Sequence, residues 1–131
     1  MGLPAAKKLD KVLAIDTHII MIPAPPGPPV PTPMPNPFNG MIMGKVSKNV
    51  KILKQPAAVV GSTAKNLPPH IPTGGPFQKP PKNQGKIIMG SKKVMINNKA
   101  AVRAGDPVMT CNDPADLPVG KVIAVGNVLI G

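Results

Sequence analysis

A repeated unit constrains the fold of this chain more than any other feature. Its clearest copy is residues 94–106, VMINNKAAVRAGD, where apolar and β-branched residues precede Asn97-Asn98 and an alanine pair follows. Asn tolerates the left-handed backbone that a two-residue hairpin turn needs. The unit therefore predicts a short β-hairpin that runs out to a Gly-Asp turn.

The same unit occurs, whole or in part, at three other places. Residues 50–62, VKILKQPAAVVGS, are a second copy, read as one residue shorter after the alanines. The chain begins on the tail of the unit, PAAKKLD at residues 4–10, and ends on its front, VGNVLIG at residues 125–131. The chain is thus predicted to be a permuted repeat of three related units.

The only two histidines and the only cysteine fall at nearly the same place in the three units. Counted from the first alanine of each pair, His18 and His70 each lie thirteen residues on and Cys111 lies eleven residues on. The count starts at Ala5, Ala57 and Ala100. Units that close around an axis would bring these side chains to one point. Two imidazoles and a thiolate suit tetrahedral zinc, and the ligand types also admit iron.

These features together resemble the PAAR-repeat family over essentially the whole chain. Its members are the tip proteins of contractile injection machines such as the type VI secretion system and phage-tail-like particles. The Pro-Ala-Ala-Arg sequence that names the family is imperfect in each copy here. Residues 4–7 read PAAK, residues 56–59 read PAAV and residues 99–103 read KAAVR.

The resemblance implies a small conical all-β fold of short hairpins with pseudo-threefold repeats, and a structural metal near the sharp end. The broad base would dock on a trimeric, VgrG-like spike, one tip per trimer, with apolar residues such as Val119, Val122 and Ile123 as base contacts. The tip would help pierce the target envelope, touch the target membrane transiently and carry separately bound effectors. We expect one tip domain over residues 1–131 with no effector extension.

Composition supports an all-β domain with a small core. The 131 residues include 20 Pro and 13 Gly but only 2 Phe and no Trp or Tyr. Scattered proline disfavours helices of ordinary length, whereas Val, Ile, Met and Ala suit thin layers of short strands. A central metal would help to stabilise a core of this size.

The formal net charge is +11, from 16 Lys+Arg against 5 Asp+Glu. This balance indicates either attraction to an anionic partner, a nucleic acid or a membrane surface, or simply a solubilising surface. No aromatic residues alternate with the lysines to stack on bases. We therefore expect no specific nucleic-acid partner, and a small basic metal-binding interaction module remains the alternative function.

Residues 12–22, VLAIDTHIIMI, are predicted to be an extended, largely buried segment. Asp16 and His18 lie on the same face at a period of two, so Asp16 is a candidate to orient the imidazole of the histidine.

Two proline-rich segments are predicted to be loops. Residues 23–40, PAPPGPPVPTPMPNPFNG, are expected to be a rigid ordered loop against the body, with an SH3-type ligand or a flexible linker as alternatives. Residues 63–81 form the second loop, whose prolines would fix the backbone around His70. In the family subgroup that the first segment resembles, a histidine often stands where this chain has Asn36. The resemblance therefore implies Asn36, water or another group as the fourth ligand.

A cysteine hydrolase is the main enzymatic alternative, since Cys and His occur together. It would need a base, an orienting residue and an oxyanion hole, and no nucleophile turn leading into a helix is apparent. A zinc hydrolase would need an open coordination position and a general base. Donors at matching repeat positions favour a structural metal, so we expect no enzyme activity.

Targeting signals are not apparent in the sequence. Residues 1–13 have too short an apolar run for a signal peptide, and no apolar stretch approaches the roughly 18 to 20 residues of a membrane span. A lone cysteine excludes an intramolecular disulfide. We expect synthesis in the bacterial cytoplasm, loading on the injection apparatus and delivery out of the cell or into a target cell.

Overall fold

The structure is a computed structural model and describes residues 2–131. Over that range it contains twelve β-strands and no helix, which confirms the all-β prediction. Consequently no helix there could cross a membrane. The strands are β1 Leu3–Pro4, β2 Lys11–Ala24, β3 Gly27–Gly44, β4 Lys51–Ile52, β5 Gln55–Pro56, β6 Thr63–Asn66, β7 Gln84–Ile87, β8 Met95–Ile96, β9 Lys99–Ala100, β10 Pro107–Thr110, β11 Leu117–Ile123 and β12 Leu129–Ile130.

Three short hairpins correspond to the three copies of the repeat. Two of them, β4–β5 and β8–β9, have two turn residues with positive φ. At Asn97 and Asn98 the φ angles are 53° and 65°. The predicted left-handed turn at the Asn pair is therefore confirmed. The third is the permuted equivalent of a hairpin: it pairs β1 with β12, Leu3 opposite Ile130, with no turn between the two strands, and so joins the two ends of the chain.

A closed ring of backbone hydrogen bonds ties the three units together. The Ala6 N–H donates to the Val102 carbonyl oxygen at 2.9 Å, and the Val102 N–H donates to the Ala58 oxygen at 3.3 Å. The Ala58 N–H then donates to the Ala6 oxygen at 3.0 Å, which completes the ring. Each unit makes one bond of the same kind to the next unit, so the repeats are arranged with pseudo-threefold symmetry.

This ring corrects the predicted alignment of the third unit. Val102 is equivalent to Ala6 and Ala58, so Ala101, and not Ala100, corresponds to the first alanine of the other two pairs. The copies at residues 50–62 and 94–106 therefore match without a length difference. Cys111 lies ten residues after Ala101, whereas each histidine lies thirteen residues after its alanine.

Beyond the ring, six strands close into a barrel in the order β10-β11-β2-β3-β6-β7. Its interior is filled by equivalent residues from the three units, including the fully buried set Ile42, Ile87 and Val122. A second apolar cluster packs beneath the short hairpins, and it contains Ile52, Ile96 and Ile130 from the three copies. Val122 is 0% exposed and so cannot contact a spike as predicted, whereas Val119 and Ile123 are 44% and 45% exposed.

Glycines at one equivalent position in each unit allow the barrel to be narrow. An added Cβ would meet the Phe38 ring at Gly40, would lie 3.0 Å from Val108 Cγ1 at Gly85, and would lie 2.9 Å from Thr110 Cγ2 at Gly120. The barrel axis therefore has no room for a side chain at this level.

The prediction of a rigid ordered loop over residues 23–40 is wrong about the secondary structure of this proline-rich segment. Most of it is strand β3, which pairs antiparallel with β2 from Lys11 opposite Met41 to Ala24 opposite Gly27. The Asn39 N–H donates to Asn66 Oδ1, which lies on the side of β3 away from β2. Odd-numbered residues of β3 therefore point their N–H groups away from the β2–β3 ladder. The odd-numbered positions 29 to 37 are all proline, so β3 loses no ladder donor to them.

The other segment predictions were partly right. Residues 12–22 are extended within β2, as predicted, and alternate buried and more exposed positions. The predicted loop over residues 63–81 begins with a short strand, β6, and its remainder is irregular.

The glycine packing gives a testable expectation. Gly120→Ala should lower the free energy of unfolding by about 1–3 kcal/mol, since the new Cβ overpacks the barrel against Thr110. Chemical denaturation measures this effect. Gly27→Ala is the control, because its Cβ would meet only the Ala24 oxygen at 3.4 Å, and its stability should stay within about 0.5 kcal/mol of wild type. Equal stability of both variants would contradict the narrow barrel.

Candidate metal centre

Four buried side chains converge at the end of the barrel away from the short hairpins. Asp16 and His18 come from β2, Cys111 follows β10, and His70 lies in the irregular segment after β6. One donor atom from each lies within 4.8 Å of the donors from the other three. The structure thus brings together the three residues singled out in the sequence and adds the carboxylate of Asp16.

Strand alternation positions the two residues from β2. Even-numbered residues of β2 face the interior, so Asp16 and His18, at 0% and 1% exposure, point the same way. His70 is fixed differently, because its backbone N–H donates to Asn83 Oδ1 at 2.8 Å. Its side chain is only 2% exposed, so it is buried at the site as the two residues from β2 are.

The distances between donors are close to those of a tetrahedral metal site. Cys111 Sγ lies 3.4 Å from Asp16 Oδ2 and 3.7 Å from His18 Nε2. Zinc bound tetrahedrally at about 2.0–2.3 Å separates its ligand atoms by roughly 3.3–3.8 Å. The His70 Nε2–Asp16 Oδ2 distance, 2.8 Å, is shorter and is that of a hydrogen bond. With all four donors within 4.8 Å of one another, the set is compatible with zinc provided that this short pair separates.

Asp16 is also a fully satisfied buried carboxylate. Its Oδ1 accepts hydrogen bonds from Thr110 Oγ1 at 2.5 Å and from Asn112 Nδ2 at 3.5 Å. Its Oδ2 accepts from His70 Nε2 and from the Cys111 thiol. A carboxylate with no solvent exposure needs such partners, because burial without them is strongly unfavourable. The predicted role of Asp16, to orient His18, differs from the structure, in which the hydrogen bond is to His70.

The proton of His70 can be placed from its surroundings. Asn66 Oδ1 accepts from the Asn39 N–H, and Asn66 Nδ2 donates to Asn83 Oδ1, so the orientation of this amide is fixed. Asn66 Nδ2 also lies 3.3 Å from His70 Nδ1, which must therefore be the acceptor. The ring proton is then on Nε2 and points at Asp16. A metal on Nε2 requires the other tautomer, in which this proton has moved to Nδ1.

His18 has an orphaned nitrogen. Nδ1 is buried without a hydrogen bond, and Asp113 Oδ2 is 3.5 Å away, an ion-pair separation without hydrogen-bond geometry. Asp113 Oδ2 also accepts from the Ile19 N–H at 2.9 Å, so the carboxylate is held beside the ring. A carboxylate at this place is the usual outer partner of a metal-bound imidazole. Sequence reasoning missed Asp113, although its position two residues after Cys111 is a signal.

Burial sets the protonation of two of the candidate ligands. It lowers the pKa of His18, partly opposed by Asp113, so this imidazole is neutral near pH 7 and able to bind a metal. Burial, reinforced by the charge of Asp16, raises the pKa of the Cys111 thiol to about 11. The thiol therefore stays protonated without a cation beside it, and a metal has to displace its proton on binding.

Asn36 lies beside the cluster but bonds elsewhere. It is directly opposite Asp16 in the β2–β3 ladder and 8% exposed, and its Nδ2 donates to the Met34 carbonyl oxygen at 2.9 Å. Its role as a ligand remains a prediction. Asp16 is the donor that the structure places with the two histidines and the cysteine.

The fold and this cluster define an all-β, pseudo-threefold domain with a candidate metal centre at one end. A family model described as the PAAR motif matches residues 35–114, more than half of the chain, and the chain belongs to that family. PAAR-family proteins are structural spike-tip proteins of contractile injection systems rather than enzymes. No curated protein matches the chain. The matched range contains His70 and Cys111, while Asp16 and His18 precede it.

Removing the central carboxylate tests the network directly. Asp16→Ala leaves Thr110, His70 and Cys111 without their shared acceptor, so we expect a loss of roughly 3 kcal/mol in the free energy of unfolding. Asp116→Ala is the control, since Asp116 is 37% exposed and pairs only with exposed Lys82; its effect should stay below about 1 kcal/mol. Similar losses in chemical denaturation would mean that Asp16 does not organise the cluster.

Proposed function

We propose that this protein is the metal-stabilised tip of a trimeric spike in a contractile injection machine. The observation that carries the proposal is the closed ring of backbone bonds among Ala6, Ala58 and Val102, which gives one chain a pseudo-threefold surface. Membership of the PAAR family supports the same role. A monomer with three similar hairpins is suited to cap a spike of three identical chains, one tip per trimer.

The docking surface is the exposed side of the three short hairpins, which we term the base. Leu129 and Met95 occupy equivalent positions in two of these hairpins and are 60% and 58% exposed, while Lys51 holds the third position. Exposed apolar side chains at equivalent positions suit contact with a repeated apolar surface. The partner is accordingly a VgrG-like spike trimer.

The metal proposal assigns zinc to His18, His70, Cys111 and Asp16, with Asn36 adjacent. Zinc would join β2, the segment after β6 and the turn after β10, which are far apart in sequence. Such a link stabilises the folded state, because the separate ligands of the unfolded chain bind the ion poorly. The two nitrogens, sulfur and carboxylate oxygen also admit iron, so elemental analysis has to identify the metal.

Assembly and delivery follow from this role. The protein would be made in the bacterial cytoplasm, loaded on the spike and delivered out of the cell or into a target cell, with effectors bound separately. The sharp end would lead, and the base would transmit the compressive load to the spike.

Spike docking is tested by native mass measurement with a candidate spike trimer. We expect one tip for three spike chains, and about tenfold weaker binding for Leu129→Asp. Ile15→Asp on the barrel wall is the matched control, since Ile15 is 61% exposed and Leu129 is 60% exposed. Three tips per trimer, or equal loss of binding in both variants, would contradict the proposed base.

The metal centre is tested by elemental analysis with thermal melting. Wild type should contain one metal per chain, and Cys111→Ser should lower the metal content and the melting temperature together, because it removes the sulfur ligand. Asn36→His should raise metal affinity if this side chain faces the ion. If wild type is metal-free and equally stable with and without chelator, these residues are ordinary side chains of a polar core.

A further inference from the structure

The two histidines of the candidate metal centre have opposite kinds of side chain behind them. His18 Nδ1 lies 3.5 Å from Asp113 Oδ2, a carboxylate oxygen. His70 Nδ1 lies 3.3 Å from Asn66 Nδ2, an amide nitrogen. A carboxylate accepts a ring N–H, whereas an amide NH2 group only donates. A metal-bound imidazole normally donates its second N–H to an acceptor, so only His18 has the usual support.

The orientation of the Asn66 amide is fixed by backbone donors. Its Oδ1 accepts from the Asn39 N–H at 2.9 Å. Its Nδ2 donates at 3.0 Å to Asn83 Oδ1, which also accepts from the His70 backbone N–H at 2.8 Å. Turning the Asn66 amide over would place its NH2 group against the Asn39 N–H and its oxygen against Asn83 Oδ1. The NH2 group of Asn66 is therefore held towards the His70 ring.

This orientation selects one tautomer of His70 in the metal-free protein. Since Nδ1 accepts from Asn66, the ring proton is on Nε2 and is donated to Asp16 Oδ2 at 2.8 Å. A metal on Nε2 requires the proton on Nδ1, where it would point at the NH2 group of Asn66. Two donors would then face each other in a site from which water is excluded, and an unpaired buried donor is unfavourable.

We propose that Asn66 is a positioning residue that holds His70 in the tautomer unable to bind zinc through Nε2, and so lowers the zinc affinity of the site. Asp16, His18 and Cys111 are then the constant donors. His70 is a conditional ligand, which binds only when Asn66 gives up its contact with the ring. The inference rests on the proposed metal centre and names a residue that sets its affinity.

A purely structural role for Asn66 makes the opposite prediction. Asn66 is 1% exposed and satisfies the Asn39 N–H, so its removal should destabilise the fold under either interpretation. If its role is only structural, zinc affinity should fall with stability or stay unchanged. If it selects the His70 tautomer, zinc affinity should rise while stability falls.

The first test is zinc binding by the full chain, measured by competition with a chromophoric chelator. Asn66→Asp keeps the acceptor for the Asn39 N–H and replaces the NH2 group with an oxygen that accepts from His70 Nδ1–H. We expect about tenfold tighter binding than wild type. Gln84→Glu is the matched control for charge, since Gln84 is exposed and lines the same surface pocket as Asn66. Its affinity should stay within about twofold of wild type.

A second variant removes the donor without adding charge. Asn66→Ala should bind zinc about threefold or more tightly at lower stability, because water from the surface pocket can then accept from His70 Nδ1–H. Ser62→Ala is its control. Ser62 is buried, and its Oγ accepts from the Val59 N–H at 3.0 Å, so this change also removes an acceptor from a backbone N–H. Its stability should fall, and its zinc affinity should stay within about twofold of wild type.

The tautomer itself is read by long-range ¹H–¹⁵N correlation on the metal-free proteins, which contain only two histidines. We expect His70 to be protonated on Nε2 in wild type and on Nδ1 in Asn66→Asp. If wild type binds zinc but neither Asn66 variant binds it more tightly, or if wild-type His70 is protonated on Nδ1, the inference is wrong and the proposed metal centre stands. Zinc binding by the Asn66 variants alone would support the inference and contradict the metal role of the wild type. No zinc binding by any variant would overturn both.

Discussion

The ring of backbone hydrogen bonds among Ala6, Ala58 and Val102 is the constraint on which the other features depend. Three chain segments can approach so closely only where side chains are small, and two of the three ring residues are alanine. The ring fixes where each pair of barrel strands begins. Ile42, Ile87 and Val122 then meet at one level, and the glycines at the next level keep the barrel narrow.

The barrel interior changes from apolar side chains next to the ring to polar side chains at the candidate metal centre. The apolar levels next to the ring exclude water, so any polar side chain placed beyond them must find its partners inside the protein. Asp16 meets this requirement with four donors, from Thr110, Asn112, His70 and Cys111. The resulting cluster is preorganised before any ion arrives. Metal binding would move the His70 ring proton to Nδ1 and release the proton of the Cys111 thiol, and it would not have to create the arrangement.

The repeat made much of the fold predictable, and the departures from it are informative. The three hairpins, the left-handed Asn97-Asn98 turn and the convergence of His18, His70 and Cys111 follow from local turn chemistry and repeat spacing. The strand β3 was missed because proline density normally excludes a strand. Proline at every second position is compatible with one, since those amides point away from the ladder. Asp113 was missed because it acts on His18 only through the tertiary fold.

The corrected alignment also explains why the site is asymmetric. Counting twelve residues from each ring residue gives His18, His70 and Pro114. Proline offers no side-chain donor, so the third unit contributes Cys111 from three residues earlier. Only the first unit is extended into the long β2–β3 hairpin, because its strands of 14 and 18 residues far exceed the 4 residues of β6, β7 and β10. The three units are therefore alike at the ring, where their backbones bond to one another, and they differ at the candidate metal centre, where the third unit has Cys111 and only the first unit has the long hairpin.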